Sequence, residues 1–321
     1  MTDQHGFDAV VAALKDAESI GVVGHVGPDG DALGSMIALA LGARNAGKAA
    51  VASFDEPFVV PTEMAYLDTS VLVRPSRFPS DLDLAVVVDT STRGRVGALA
   101  PPMEAAKSLA IIDHHISDGA WGDIVLIDPS AAATAELVFE VLDALKWPVT
   151  EPMATALYTG LVTDTGRFQY SATTPRTHHI AASLLGAGVS PDAIGQRLFE
   201  EQPFGFYTVA SRVLGRAVLD ADRAFVWSVM RQEDLDAADL AYHEVDALID
   251  LVRLARGTEV ACLLKEAKPG VHKGSLRSRG IVDVAAIASA FGGGGHHNAA
   301  GFTTSENPER IIEEITRLLP S

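Results

Sequence analysis

Short apolar runs alternate along this chain with longer segments that have the spacing of amphipathic helices. A continuous β-branched run indicates a buried strand, and apolar positions three or four residues apart indicate a helix. In the first two thirds, this pattern predicts strands at 20–24, 48–54, 84–88, 108–113 and 124–127, and helices at 7–18, 30–46, 133–145, 151–163, 177–187 and 191–200. In the last third, it predicts strands at 224–230, 258–266 and 273–279, and helices at 244–255, 283–290 and 307–319.

The alternation of strands and helices is typical of a parallel, doubly wound α/β sheet. We therefore predict an α/β catalytic domain over residues 1–188 and a connector over 189–214. A smaller α/β domain, in which strands and helices follow a less regular order, is expected over 215–321.

The net charge, the cysteine count and the lengths of the apolar runs limit which partners and which cellular location are expected. The 321 residues carry a formal net charge of −17, which argues against binding of long nucleic acids, because such proteins usually present a basic surface to the phosphates. The single cysteine, Cys262, excludes an internal disulfide framework and is expected in a core strand. No apolar run is long enough for a membrane span, and the N-terminus does not resemble a signal peptide. We therefore expect a cytoplasmic protein that does not bind membranes.

Three of the predicted strands end in residue types that bind metal. The first runs into His25, the second into Asp89 and the third into Asp113-His114-His115. Parallel α/β sheets place their chemistry at the carboxyl ends of such strands. Two further carboxylates, Asp29 and Asp31, follow the first strand, and Asp164 follows a predicted helix. The pattern indicates a hydrolytic metal site.

Simpler interpretations stay open for single members of this set. Asp31 can serve only to cap the helix that begins near Ala32, and Asp89 can cap the segment after it. Two adjacent histidines at a strand end suggest a division of roles, in which one ring binds a cation and the other faces substrate. Asp113 suits a supporting role, in which it holds one ring nitrogen. A donor set of carboxylates and imidazoles without thiolate favours Mn²⁺ or Mg²⁺ over Zn²⁺.

The last third offers a candidate anion site. Four consecutive glycines, 292–295, precede His296 and leave backbone N–H groups without side-chain cover. Arg277 and Arg279 lie on the strand before them and can bind phosphate with two hydrogen bonds each. A flexible loop and a solvated strand face are the simpler interpretations.

Together these motifs resemble the DHH phosphoesterase superfamily. The matching segments are His-x-x-Pro-Asp-x-Asp-Ala-x-Gly-Ser at 25–35, Asp89, Asp-His-His at 113–115 and Thr-Asp-Thr-Gly at 163–166. The segment Gly-Gly-Gly-Gly-His-x-x-Ala-Ala-Gly at 292–301 resembles the associated DHHA1 domain. The resemblance implies an active site in the cleft between the two domains.

The same resemblance implies roles for individual residues. One Mn²⁺ is expected on His25, Asp29 and Asp89, and a second on Asp31, Asp89, His114 and Asp164, with Mg²⁺ or Co²⁺ as possible replacements. His115 is expected at the scissile phosphate, with Asp89 and Asp113 as the other catalytic residues. The residues expected to hold the nucleotide are Arg277, Arg279, Gly294, Gly295 and His296.

The two-domain length resembles the NrnA-like branch of nanoRNases and adenosine 3′,5′-bisphosphate (pAp) phosphatases. This branch implies hydrolysis of short oligoribonucleotides and dinucleotides such as pApA and pGpG, removal of the 3′-phosphate of pAp, and a homodimer. A cyclic dinucleotide (c-di-AMP) phosphodiesterase is the main alternative. RecJ-like exonucleases are longer and add a basic DNA-binding surface, and family II inorganic pyrophosphatases lack the glycine-rich signature. A non-enzymatic nucleotide sensor has no need of a complete two-metal ligand set.

Overall fold

The computed structural model describes residues 4–116 and 119–320, which divide into two compact units. Unit 1 ends at Glu201 and unit 2 begins at Gln202. The division falls inside the stretch 189–214 that we predicted as a connector. The expected location of the active site in a cleft between domains stays a prediction.

The sheet of unit 1 is parallel throughout, as the sequence predicts. Its strands are β1 Ser19–Val23, β2 Ala49–Ser53, β3 Leu84–Val88, β4 Leu109–Asp113 and β5 Ile124–Ile127. The strand order is β2-β1-β3-β4-β5, and every neighbouring pair is parallel. The chain order reverses between β1 and β3, and ligands of such sheets bind beside that reversal at the carboxyl ends of the strands.

Both faces of this sheet are covered, which confirms the predicted doubly wound architecture. The helices are α1 Gln4–Asp16, α2 Gly30–Asn45, α3 Ala100–Glu104, α4 Thr134–Ala144, α5 Glu151–Asp164, α6 Pro175–Gly186 and α7 Pro191–Gly195. Strand β3 shows the two faces directly, because Val86 and Val88 join one apolar core and Ala85 and Val87 join the other. A π-helical turn, Gln196–Glu200, continues α7.

Two glycines let α2 and α5 approach closely. A Cβ atom added to Gly34 would lie 2.2 Å from the carbonyl oxygen of Ala156, and one added to Gly160 would lie 2.7 Å from Oδ1 of Asp31. Larger side chains at these positions would force the helices apart. The close packing therefore brings Asp31, at the start of α2, near Asp164, at the end of α5.

Unit 2 contains a six-stranded mixed sheet. Its strands are β6 Val218–Asp220, β7 Phe225–Met230, β8 Val260–Lys268, β9 Val271–Ser278, β10 Gly294–His296 and β11 Ala299–Thr304. The strand order is β10-β11-β9-β8-β7-β6, and only β7 and β8 pair in parallel. The helices are α8 Phe204–Gly215, α9 Gln232–Asp236, α10 Leu248–Val252, α11 Val284–Ser289 and α12 Pro308–Leu318.

Separate apolar cores cover the two faces of this second sheet. Cys262 and Leu264 of β8 join the core formed with α11 and α12, whereas Ala261 and Leu263 join the core formed with α8 and α10. Cys262 is fully buried, as predicted for a core strand residue. Among the helices in the described ranges, none combines the length and apolar character needed to cross a membrane.

The structure differs from the sequence-based elements mainly in unit 2. The single helix predicted over 244–255 is a 3-10 turn, Tyr242–Val245, followed by the short α10. Helix α8 begins inside the predicted connector, and its apolar face joins the core of unit 2 through Val209 and Val213. The end of the glycine-rich run forms strand β10 of a hairpin with β11. A Cβ atom at Gly293 or Gly295 would lie 2.2 or 2.5 Å from a backbone oxygen of β11, so these two positions have no room for a larger side chain.

Candidate metal centre

The predicted metal ligands converge at the carboxyl edge of the first sheet. Strands β1 and β3 are neighbours, and β4 lies beside β3. His25 follows the end of β1 by two residues, Asp89 follows β3 directly, and Asp113 is the last residue of β4. Residues far apart in the sequence therefore meet beside the point where the strand order reverses.

Asp89 lies at the middle of this group in a strained backbone conformation. Its φ angle is 61°, in the left-handed region that residues other than glycine rarely adopt. Its amide N–H donates to the carbonyl of Ile112 at 3.0 Å, and its Oδ1 accepts from Oγ1 of Thr134 at 3.0 Å. The side chain is almost fully buried. Strain of this kind persists where the surrounding structure holds it, and it is concentrated at functional sites.

His25, Asp29 and Asp89 form one group of possible metal ligands. Nδ1 of His25 lies 3.1 Å from the carbonyl oxygen of Val26, which can only accept, so Nδ1 carries a proton. Nε2 then faces Asp89 at 3.5 Å and Asp29 at 3.7 Å. Nε2 is buried and makes no hydrogen bond within the described residues. These separations are those of donors that share a cation, since two ligands each about 2.2 Å from one ion lie roughly 3–4 Å apart.

Asp29 also caps helix α2, a role that the sequence analysis considered for Asp31. Its Oδ1 accepts from the backbone N–H groups of Asp31 and Ala32, both at 3.1 Å, and Asp29 is the N-cap of α2. The interpretation that Asp31 caps this helix is therefore wrong. Asp31 lies in the first turn and points to the metal group, while Asp29 keeps its other oxygen toward His25.

A second group of possible ligands consists of Asp31, His114 and Asp164. Nε2 of His114 lies 3.2 Å from Asp164 and 3.8 Å from Asp31. The same nitrogen is 3.6 Å from Oδ1 of Asp89, whereas His25 faces Oδ2 of Asp89. One carboxylate thus turns one oxygen toward each group, which is the arrangement of a bridging ligand.

His115 makes a different contact from His114. Its Nδ1 lies 2.7 Å from Oδ1 of Asp113, which also accepts from the backbone N–H of His115 at 3.1 Å. A third possible ligand group includes His115 with Asp89 and His114. Nδ1 of His115 is 3.7 Å from Asp89, however, and its proton is already donated to the closer Asp113. The geometry supports a supporting carboxylate at Asp113 and a separate role for His115.

The electrostatics show an excess of negative charge. Burial lowers the pKa of His25 and of His114, yet the neighbouring carboxylates outweigh burial and raise both to about 10. Burial, together with repulsion from other carboxylates, raises the pKa values of Asp31, Asp89 and Asp164. Four carboxylates and two imidazoles without thiolate form a hard donor set. The residues present therefore fit divalent cations such as Mn²⁺ or Mg²⁺.

Four of the five predicted substrate residues of unit 2 lie on β9 and β10, which are separated in the sheet by β11. The strand register places Arg277, Ala299 and residue 296 in one cross-strand row, with Gly294 and Gly295 on the same edge strand. Arg279 is exposed just past β9, where its guanidinium donates to the carbonyls of Arg253 at 3.1 Å and Ala255 at 3.3 Å. The side chain of His296 lies outside the described part of the chain. The row brings Arg277 into register with residue 296, whereas Arg279 lies outside it, and the role of these residues in binding stays a proposal.

The sequence reasoning missed Thr134. Its backbone N–H donates to Asp31 at 2.6 Å, and its hydroxyl is the donor to Asp89 described above. Ala133 could have indicated this contact, because it is the N-cap of α4 and has no side chain that can accept a hydrogen bond. A helix start without its own cap needs an acceptor from elsewhere in the fold, and Asp31 provides it.

The comparisons with known proteins agree with this geometry. The model of the DHH family, N-terminal domain, matches residues 19–161, and that of the DHHA1 domain matches residues 228–320. The chain is 33% identical to the bifunctional oligoribonuclease and PAP phosphatase NrnA of Thermus thermophilus, over 95% of this chain and 92% of that protein. This chain belongs to the DHH phosphoesterase family. Membership confirms the prediction of a phosphoester hydrolase with a DHH domain followed by a DHHA1 domain.

Solved structures show the same fold. An exopolyphosphatase-related protein from Bacteroides fragilis matches with a TM-score of 0.91 and 23% identity, over 99% of this DHH-family chain and 96% of the other. RecJ from Thermus thermophilus in complex with Mn²⁺ matches with a TM-score of 0.58 and 16% identity, over 98% of this chain and 54% of RecJ. Both matches support the fold described above.

Proposed function

We propose that this chain is a metal-dependent phosphoesterase that hydrolyses short oligoribonucleotides and dinucleotides, such as pApA and pGpG, to mononucleotides. It also removes the 3′-phosphate from pAp. The observation that carries the proposal is the pair of ligand groups that share Asp89. The name of the Thermus thermophilus relative supports oligoribonucleotides and pAp as substrate classes. The homodimer and the cytoplasmic location stay predictions.

The ligand groups define the proposed metal sites. His25, Asp29 and Asp89 would hold one ion, and the other would be held by Asp31, Asp89, His114 and Asp164. We propose Mn²⁺, the ion bound in the RecJ structure, with Mg²⁺ or Co²⁺ as possible replacements. Two divalent ions bound there would lower the pKa of a water molecule and neutralise negative charge on the reacting phosphate.

The protein side chains around the ions orient the reaction. Asp113 holds Nδ1 of His115, so Nε2 is left to meet a non-bridging oxygen of the scissile phosphate. Burial lowers the pKa of His115, but the contact with Asp113 outweighs burial and raises the pKa overall. A raised pKa favours the protonated ring, which donates a hydrogen bond and stabilises negative charge. Asp89 fixes the two ligand groups relative to each other.

The residues of unit 2 are proposed to select short substrates. Arg277, Arg279, Gly294, Gly295 and His296 would bind a phosphate other than the one that is cleaved. The net charge of −17 gives the chain no overall excess of basic residues to attract a long polymer, so affinity would depend on this local group and on the metals. Long RNA would therefore be a poor substrate.

A substrate panel tests the proposal. Metal-stripped protein is supplied with Mn²⁺ and assayed on pApA, pGpG, pAp, c-di-AMP, a long single-stranded RNA and pyrophosphate. We expect hydrolysis of the dinucleotides and pAp, little cleavage of the long RNA and none of pyrophosphate. Asp89→Ala protein from the same purification serves as the control for contaminating nucleases.

Two outcomes would reject or revise the proposal. Activity that persists without divalent metal, or that is equal in the Asp89→Ala control, would reject the metal-dependent reaction. Faster hydrolysis of c-di-AMP than of pApA would favour the cyclic dinucleotide phosphodiesterase instead.

A further inference from the structure

The chain that follows β5, through the first turn of α4, contacts three of the proposed metal ligands. This 128–136 segment donates to both oxygens of Asp31, through the backbone N–H of Thr134 at 2.6 Å and of Ala135 at 2.9 Å. The hydroxyl of Thr134 binds Asp89. The carbonyl oxygen of Ala131 lies 3.3 Å from Nδ1 of His114. One segment therefore fixes the orientation of ligands that come from α2, from the turn after β3 and from the end of β4.

Acidic residues at the two ends of the 128–136 segment stabilise it internally. Asp128 accepts from the backbone N–H of Ser130 at 3.0 Å and also binds the Ser130 hydroxyl. Glu136 accepts from the backbone N–H of Ala132 at 3.2 Å. Both side chains are almost fully buried, at 3% and 0% exposure. A buried carboxylate is costly unless it is hydrogen-bonded or paired with a cation.

Arg176, the second residue of α6, supplies that cation. Its Nη1 lies 3.1 Å from Asp128, and its Nε lies 3.6 Å from Glu136. Nε and Nη2 also bind both oxygens of Glu140 on α4, each at 2.7 Å. A planar guanidinium makes these contacts in fixed directions, which a lysine cannot reproduce. Arg176 thus connects both ends of the segment to Glu140, one helical turn further along α4.

We propose that Arg176 is a positioning residue for the metal centre. It holds the 128–136 segment in place, and the segment orients Asp31, Asp89 and His114. Groups that hydrogen-bond to metal ligands set metal affinity, and their loss typically lowers it by about 10- to 100-fold. The inference rests on the proposed metal sites, but it concerns a residue that contacts neither substrate nor metal.

The chain contains a matched control for a merely structural role. Arg216 in unit 2 binds both oxygens of Asp234, at 2.5 and 2.8 Å. The two arginines are similarly exposed, at 26% for Arg176 and 28% for Arg216, and Asp234 is fully buried. Both Arg176→Gln and Arg216→Gln remove an arginine that pairs with a buried carboxylate, Asp128 or Asp234. Only Arg176 contacts the segment that orients the proposed metal ligands.

The test is Mn²⁺ binding to metal-stripped protein, measured by calorimetry together with the melting temperature. Both variants should melt at lower temperature than the wild type. Only Arg176→Gln should bind Mn²⁺ more weakly, by about tenfold or more, and Arg176→Lys should recover part of the loss. Equal Mn²⁺ affinity in Arg176→Gln and wild type, or equal weakening in Arg216→Gln, would overturn the proposal. Wild-type protein that binds no Mn²⁺ would instead contradict the proposed function.

A milder change keeps the test decisive if Arg176→Gln does not fold. Glu140 is one third exposed, so Glu140→Gln removes one of the three carboxylates around the guanidinium with less risk to the fold. We expect a smaller loss of Mn²⁺ affinity in this variant, and an unchanged affinity would reject the role of Arg176. Thr134→Val should also weaken binding, with Thr134→Ser restoring it, because only the hydroxyl reaches Asp89.

Discussion

The two candidate sites of this chain are built in different ways. In unit 1, hydrogen bonds orient the functional side chains. Asp31 accepts from the backbone N–H of Thr134 at the start of α4, and Asp89 accepts from the Thr134 hydroxyl. The rings of His25 and His115 are held by the carbonyl of Val26 and by Asp113. In unit 2, strand register places Arg277 and the glycine-rich strand, and the nearest carboxylate to Arg277 is 3.9 Å away. Arg279 is held past the strand end by two backbone carbonyls. The first arrangement suits ions that require fixed ligands. The second suits a phosphate that several donors can accommodate.

Loss of the shared carboxylate should have the largest effect. Asp89→Ala removes a ligand from both groups, so we expect hydrolysis to fall by at least about a thousandfold, since bound metal supplies several kcal/mol of transition-state stabilisation. The fold should survive, because repulsion among the buried carboxylates is relieved. Elemental analysis and circular dichroism measure both effects. Two retained Mn²⁺ ions or preserved turnover would show that Asp89 is not shared.

The adjacent histidines should behave asymmetrically. His114→Ala should lose metal, because Nε2 of His114 faces three carboxylates. His115→Ala should retain metal and lose turnover by roughly 10²- to 10³-fold, the usual effect of removing one donor to developing charge. Metal content and kcat are measured on both variants in parallel. Equal metal loss in the two variants would mean that their roles are assigned wrongly.

Substitutions of two neighbouring glycines in unit 2 should distinguish an effect on phosphate binding from an effect on stability. A Cβ atom at Gly293 would lie 2.2 Å from the carbonyl oxygen of Gly301, whereas nothing lies within 4 Å of one at Gly294. Gly293→Ala should therefore destabilise the protein by about 1–3 kcal/mol. Gly294→Ala should leave stability within about 0.5 kcal/mol but raise KM for pApA if the glycine-rich strand binds phosphate. Unchanged KM in a stable Gly294→Ala protein would place phosphate binding elsewhere.

Metal binding should release protons, which is the smallest of these effects. In metal-free protein the pKa values of His25 and His114 are about 10, so both rings are protonated at neutral pH. Each ring must lose its Nε2 proton to bind a cation, so about one proton per imidazole should be released. Mn²⁺ affinity should then weaken as pH falls. Calorimetry in buffers of different ionisation enthalpy measures the release, and buffer-independent heats would contradict it.

The contrast between the units also explains what could be predicted from sequence. In unit 1, strands such as Leu84–Val88 are buried on both faces, so an uninterrupted apolar run marks the strand and its last residue marks the edge of the sheet. In unit 2, strand β10 is formed by Gly294–His296, whose composition is that of a loop. Its strand conformation depends on pairing with β11, which local sequence does not reveal.

The same limit applies within the metal centre. Residue type and strand ends predicted His25, Asp29, Asp31, Asp89, His114 and Asp164 as neighbours, and the structure brings them together. The hydrogen bonds from Thr134 and the contacts of Arg176 depend on tertiary packing between segments far apart in sequence. Neither residue belongs to a motif with metal-binding residue types. Supporting residues of this kind become visible only once the fold is known.

The central claim is a pair of metal sites that share Asp89, and electron paramagnetic resonance of Mn²⁺-loaded protein tests it most directly. Metal-stripped protein is titrated with Mn²⁺ while bound ions are counted. The account predicts two ions per chain and, once both are bound, the spectrum of an exchange-coupled pair, as expected for ions about 3.5–4 Å apart. A single ion per chain, or two ions with uncoupled spectra, would contradict it.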